Sequence, residues 1–588
     1  MFEDSDLGKV IINNVAPMEA ARRRKKIIFI IIGIFSLAII TTVIILIIKN
    51  KANSSKKLKP IPDRKNLDIY GFLNCTYYNG KGEKALIFSD KAVDLSPLEI
   101  TIGNKTFNGT NVEITEVGYI NVIIKFNSPL NMDYLFSETK INDISMISTK
   151  KGVILSMAEA FSGCDRLDIF NISGFDTSKV KNISRLFYKN EELKNVSFND
   201  FNTENVEDMS QIFSGCKIIK NINLSKFNTK NMKKMSKMFN ECRNLERLDI
   251  SNFDTRNVEI MDKMFYLCSK LTTLDIPKTF KTNKVTSMGH MFEYCSALTS
   301  IELSSFDTSS VTNMESMFCY CRTVQILDVS KFDTKNVQKM NEMFNKCSFL
   351  TSLDVSNFVT YNVYNMSFMF SGIKVTSLSL SKFKTNNVIE MNSMFQDLDL
   401  IETLDLSSFE TSNITSMSDM FAGCTNLKSI KINIEKFDTR NVVNMAKLFN
   451  NCKNLQSIDL SKFDTNNVEY MNKMFAGCES FTSLDFSSFD TSNVKSMDEM
   501  FSGLNLTSLD LSQFSTYEVR SMKKMFYSCE NLNYLNLLNF DTHQCVDFDQ
   551  IIEGINNTNL KVILSKSNID KNNNLINALG ENINLELV

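Results

Sequence analysis

Over roughly residues 150 to 545 the apolar positions of this chain follow two rhythms in strict alternation. In the first, apolar and polar residues alternate singly, as in Leu248-Asp249-Ile250 and Leu484-Asp485-Phe486, the period of a short strand with one buried face. In the second, Val258, Met261, Met264, Phe265 and Cys268 stand at spacings that predict a helix with a single apolar face lying against the strand. Between the two, Phe-Asp-Thr-x-Asn supplies side-chain oxygens suited to a turn and a helix cap. The Phe-Asp-Thr mark or a close variant recurs from Phe175 to Phe540 at gaps of 25 to 28 residues. A fixed period of this length means an array of like units, each stacked on its neighbours and none able to bury its apolar face alone.

The unit reads approximately L-x-x-L-D-L-S-x-F-D-T-x-N-V-x-x-M-x-x-M-F-x-x-C, as from Leu404 to Cys424. This motif resembles the repeat of the BspA-like leucine-rich repeat surface proteins. The resemblance implies an α/β solenoid, a leucine-rich-repeat right-handed superhelix with a parallel β-sheet on its concave face. It also implies a surface-exposed protein of the adhesion and host- or matrix-binding kind. Phe280-Lys281-Thr282, Phe358-Val359-Thr360 and Phe383-Lys384-Thr385 lose the acid after Phe, which touches a turn interaction and leaves the fold expectation intact.

The flanks are of different character. Residues 27–48 form an uncharged, almost wholly apolar run, long enough to span a bilayer and read as a transmembrane signal anchor. Arg22, Arg23, Arg24, Lys25 and Lys26 abut its N-terminal end and favour a cytoplasmic basic tail over residues 1–26. Lys49, Lys51, Lys56, Lys57 and Lys59 lie on the other side, but they are spread through a linker, residues 49–66, whereas the first cluster is contiguous. The expected localisation is the plasma membrane, single-pass, with the array outside. Residues 67–148 alternate as strands do, for example Leu98 to Ile102 and Tyr119 to Phe126, and predict a small β-rich capping domain. The array of about fifteen repeats then spans residues 149–545, and residues 546–588 are expected to form the second cap.

Composition narrows function mainly by exclusion. A net charge of −2 over 588 residues gives no reason to expect a nucleic-acid partner. The 30 Met and 45 Phe are accounted for by the repeated M-x-x-M-F. Cysteines recur in one slot, three residues after the second Phe of each unit, and read as small buried thiols; disulfides between stacked coils are the alternative. Cys75 and Cys545 stand outside that slot and are left open as free or paired. Only two histidines occur, His290 and His543, with no nucleophile, phosphate loop or zinc motif beside them. The chain is expected not to be an enzyme and to need no metal or cofactor.

The strand face carries the candidate binding residues. Between the last two apolar positions of each strand stands an acidic column, Asp249, Asp275, Glu302, Asp328, Asp354, Asp405, Asp459, Asp485 and Asp510. Two residues earlier runs a hydroxyl column that includes Ser352, Thr403, Ser457, Ser483 and Ser508. Like charges at strand spacing need compensation. Neighbouring donors, a cationic or hydroxyl-rich ligand, or divalent cations would each provide it. The expected function is adhesion or binding of an extracellular protein or glycan ligand by a membrane-anchored solenoid. The alternatives are a surface coat packing by lateral self-association and a ligand-sensing receptor subunit.

Overall fold

A computed structural model describes residues 71–588 apart from 82, 127, 200, 557, 558 and 582. The array is a parallel β-solenoid of about 17 turns with little helix. Its strands are short and pair in parallel from coil to coil, as Thr403–Leu406 does with Ser429–Ile432 and Ser508–Asp510 with Tyr534–Asn536. Apolar and polar faces alternate along the strand: Leu404 and Leu406 lie in the core while Thr403 and Asp405 face out.

The helix expected in each repeat is absent, and this is the main correction to the leucine-rich-repeat expectation. In the Val258 to Cys268 segment Lys263 and Leu267 have φ of 55° and 58°, and left-handed residues recur at matching positions from Tyr134 to Gln550. Each such residue ends a tight turn, so that Met264 N–H meets Met261 O at 3.2 Å and Cys268 N–H meets Phe265 O at 3.1 Å. A helix would return its N–H groups to its own chain four residues back. Here the N–H groups of Lys263, Phe265 and Leu267 instead reach Gly289, Met291 and Glu293 carbonyls on the next coil, each at 2.9 Å. A chain of four-residue β-turns points the same apolar residues inward as a helical stripe does, and it also hydrogen-bonds each coil to the next. The apolar period therefore placed the core correctly and misassigned the backbone.

Inside, like residues stack on like. The Phe of M-x-x-M-F forms a column in which Phe239 and Phe265 lie 5.7 Å apart at 7° and Phe292 and Phe318 lie 5.8 Å apart at 4°. Val, Met and Cys of the same slots are fully buried beside them. A continuous ladder of parallel bridges runs along the residue before the first Met, from Asn182 through Asp208, Lys234 and onward to Asp547.

Both ends of the array are closed. Toward the N-terminus, strands Gly71–Asn79, Gly118–Phe126, Leu98–Ile102 and Lys105–Asn108 pair antiparallel. Ile141–Ser156 joins this group to the solenoid, pairing antiparallel with Gly71–Asn79 and parallel with Ile169–Asp176. The first coil's open edge is thus met by a sheet that continues it. Turns of the repeat type already begin at Met132, where Leu135 N–H meets Met132 O at 2.9 Å. At the C-terminus, Lys561–Leu564 and Asn584–Leu587 add two parallel strands, and the helix Asn573–Leu579 buries Leu575 and Leu579 over the last coil.

The predicted anchor at residues 27–48, the basic residues Arg22 to Lys26 and the linker lie outside the described residues. Among the described residues no helix is long and apolar enough to cross a membrane.

Candidate functional site: the exposed strand face

The Phe-Asp-Thr segment is scaffold. The Thr203 hydroxyl donates to Asn228 O at 3.1 Å and accepts Asn228 N–H at 2.8 Å. Thr229 does the same with Asp254, and Thr282 with Asp307. The Thr is buried in every coil of the array, so this rung repeats coil after coil. Its Asp neighbour closes the local turn, Asp254 accepting Arg256 N–H at 3.3 Å and Asp490 accepting Ser492 N–H at 2.9 Å. The Asn before Val reaches back instead, as Asn257 Nδ2 to Lys230 O at 2.9 Å. At the last rung Asn572 stands in for a further coil, receiving Thr542 N–H at 3.1 Å and its hydroxyl at 2.9 Å.

The cysteine slot is equally structural. Cys242 Sγ lies 3.2 Å from Phe213 O and Cys268 Sγ 3.2 Å from Phe239 O, each on the preceding coil. All fourteen cysteines are free and buried, Cys75 and Cys545 included. Burial pushes the Cys347 and Cys424 thiols up to about 12, far from any reactive range. His290 Nδ1 sits 2.5 Å from Glu293 Oε2, and His543 Nδ1 2.7 Å from Asp541 Oδ1.

The two columns do share one exposed surface. Asp275, Glu302, Asp328, Asp354, Asp405, Asp459, Asp485 and Asp510 are exposed, Asp249 is half-buried, and Ser352, Thr403, Ser457, Ser483 and Ser508 are exposed. The acidic column's compensation is largely local. Asp328 accepts Ser330 N–H at 3.1 Å and its hydroxyl at 2.6 Å. Glu302, Asp354, Asp459, Asp485 and Asp510 accept the N–H of the Ser two residues on, at 2.8 to 3.0 Å. Bonding from that Ser holds Asp328, Asp354 and Asp459 below the ordinary carboxylate value. The exception is Asp275, because Pro277 occupies the donor position and has no N–H.

Two column positions break the like-charge run, Ser379 with a neutral residue and Lys431 with an opposite charge. Lys431 replaces the acid and pairs with Asp405 at 2.9 Å, and together with Ser407 it holds that carboxyl down to about 2. The sequence reading passed over Lys431 because the two-residue insertion before Phe437 blurs the register there. Apart from Asp405, whose second oxygen takes Lys431, the arrangement leaves the second oxygen of each turn-bound carboxylate and the hydroxyl column facing outward. It suits hydrogen bonding to a long partner lying across several coils, and among the described residues no His, Cys, Asp or Glu group is gathered to hold a metal ion.

The profile of a family described as "Mycoplasma protein of unknown function, DUF285" matches residues 125–221, 155–274, 189–297, 268–374, 349–431, 424–534 and 457–566. No curated protein matches. Among solved structures, one titled "Crystal structure of TLR13-ssRNA13 complex" aligns at 14% identity over 70% of this chain and 76% of that one. Its TM-score of 0.16 is too low to bear on fold or ligand.

Proposed function

The chain belongs to the DUF285 family, and from that premise we propose that it is a membrane-anchored surface protein whose solenoid binds protein or glycan ligands in adhesion. One observation carries the reading. The most repeated motif, Phe-Asp-Thr, is consumed in coil-to-coil bonding, whereas the acidic and hydroxyl strand residues four and six positions before its Phe repeat just as regularly and are exposed on one face. A rigid array with ordered, outward polar columns is a binding surface of the kind repeat proteins use. The resemblance of the repeat to BspA-like surface proteins and the uncharged run at residues 27–48 support placement outside the cell. Protease treatment of intact cells tests that placement. The array should be degraded while cytoplasmic proteins survive, and an intact array would refute the surface location.

A second reading is a surface coat packing laterally. It is favoured by Tyr361, Tyr364, Ile389 and Val443, which are 43%, 37%, 46% and 38% exposed on the coil segment after Phe-Asp-Thr. Sedimentation of the full chain in detergent separates the two readings: a coat requires concentration-dependent assembly, and a monomer excludes it.

A further inference from the structure

One face of the array matches itself when turned end for end. The residue after the buried Val or Ile that follows Phe-Asp-Thr donates its N–H to the like residue of the preceding coil. This ladder runs without a gap from Thr286 N–H on Glu259 O at 3.0 Å to Arg520 N–H on Lys495 O at 3.0 Å. Its side chains from Glu259 to Val443 are all exposed, and every member from Thr286 to Val443 is uncharged. Tyr364, Ile389 and Val443 give the middle of this stripe an apolar surface.

Charges bound the stripe at both ends. Glu207 pairs with Lys233 at 2.7 Å and Glu469 with Lys495 at 2.6 Å, whereas Glu259 and Arg520 are exposed and make no ion pair among the described residues. Thr286, Thr312, Gln338 and Tyr364 separate Glu259 from Ile389, and Thr415, Val443, Glu469 and Lys495 separate Ile389 from Arg520. The two unpaired charges, opposite in sign, are therefore equally far from Ile389. A two-fold axis through Ile389 at right angles to the solenoid lays a second copy antiparallel on the first, with Glu259 of each against Arg520 of the other.

The neighbouring column, the residue after each buried Thr, fits the same axis. It sets Arg256, bonded to Asp254 at 2.7 Å, against the exposed ring of Tyr517, a cation on an aromatic face. The like charges it brings together are Lys335 and Arg440, and each is held by its own acid, Asp333 at 2.8 Å and Asp438 at 2.7 Å. Glu390, beside the axis, is drawn toward Asn365 of the preceding coil at 2.8 Å, and the two-fold turns the two carboxylates in opposite directions.

From this we infer that the face pairs two copies of the chain, antiparallel about Ile389. The contact runs about 50 Å and buries on the order of 1,000 Å² in total, a transient size that many copies on one surface reinforce. A closed two-fold stops at two copies, unlike a coat. It also sets the N-terminal ends of the arrays at opposite ends of the pair, so chains anchored through residues 27–48 pair across two facing membranes. That last step rests on the surface placement proposed above and names an adhesion partner for it, a second copy on the opposing cell.

Two measurements on the purified full chain in detergent test the pairing. Beads carrying the chain by its N-terminus should cluster. Glu259→Arg and Arg520→Glu, both at exposed positions, should leave circular dichroism unchanged and each slow clustering at least tenfold. Mixing the two kinds of bead should restore it, because each variant then meets its opposite charge. In solution Ile389→Cys, on the axis, should give a disulfide-linked dimer with diamide, and Val443→Cys, which faces Gln338 of the other copy, should not; the native cysteines are buried. No clustering of wild-type beads, wild-type clustering by the folded single variants, no rescue on mixing, or equal cross-linking of the two cysteine variants overturns the inference. Each of these leaves the surface placement standing, since protease treatment of intact cells decides that separately.

Discussion

Thr203 and Asn228 hold each other by two hydrogen bonds between adjacent coils, hydroxyl to carbonyl at 3.1 Å and N–H to hydroxyl at 2.8 Å. One buried side chain satisfies both backbone groups of a residue on the next coil. Removing the hydroxyl strands the pair, and a buried unsatisfied group costs about 1–3 kcal/mol. Thr203→Val is expected to lower stability by about 2 kcal/mol or more and to speed amide exchange at Asn228, with Thr203→Ser close to wild type. Urea unfolding and hydrogen exchange measure the two effects.

The cysteines predict a reactivity result. The thiols of the repeat slot point at carbonyls of the preceding coil, as Cys424 Sγ does at Phe395 O, and burial raises Cys424 to about 12. Maleimide at pH 8 should modify none of the fourteen cysteines in the native chain and all of them after denaturation, counted by mass. Modification of the Cys242 or Cys424 slot without unfolding would contradict the buried ladder.

Stability should fall in acid through the acidic column. Asp405 is held from its ordinary 3.8 down to about 2 by Ser407 and then Lys431. A carboxyl whose folded value is depressed contributes stability above its unfolded value and loses it as pH falls through the folded one. The urea midpoint should therefore decline between about pH 4 and about pH 2. Asp405→Asn should flatten part of that decline, and its exposure keeps the effect small.

Gly423 gives a backbone prediction. Its φ of 76° disfavours any side chain, and the Asp397 carboxylate lies where a Cβ would go. Gly423→Ala should cost about 1–3 kcal/mol, read from thermal unfolding.

Much of this was legible in the sequence. The period, the buried Met, Phe and Cys slots, the strands and the outward acidic and hydroxyl columns all follow from spacing. The turns at Lys263 and Leu267 did not, because i, i+3, i+6, i+7 and i+10 is satisfied equally by a helix and by successive β-turns. Nothing at those two positions signals a positive φ, although Gly215, Gly423 and Gly477 occupy the second of them elsewhere and were the available clue.

The central claim is that ligands meet the free strand face and not the Phe-Asp-Thr seam. It is tested most directly by immobilising the full chain and its Ser457→Lys/Ser483→Lys/Ser508→Lys variant and identifying what each retains from cell-surface extracts. All three serines are exposed, so the variant should fold with an unchanged urea midpoint. Defined partners retained by the wild type and lost by the folded variant are the predicted result. The same partners on both, or none on either, would contradict it.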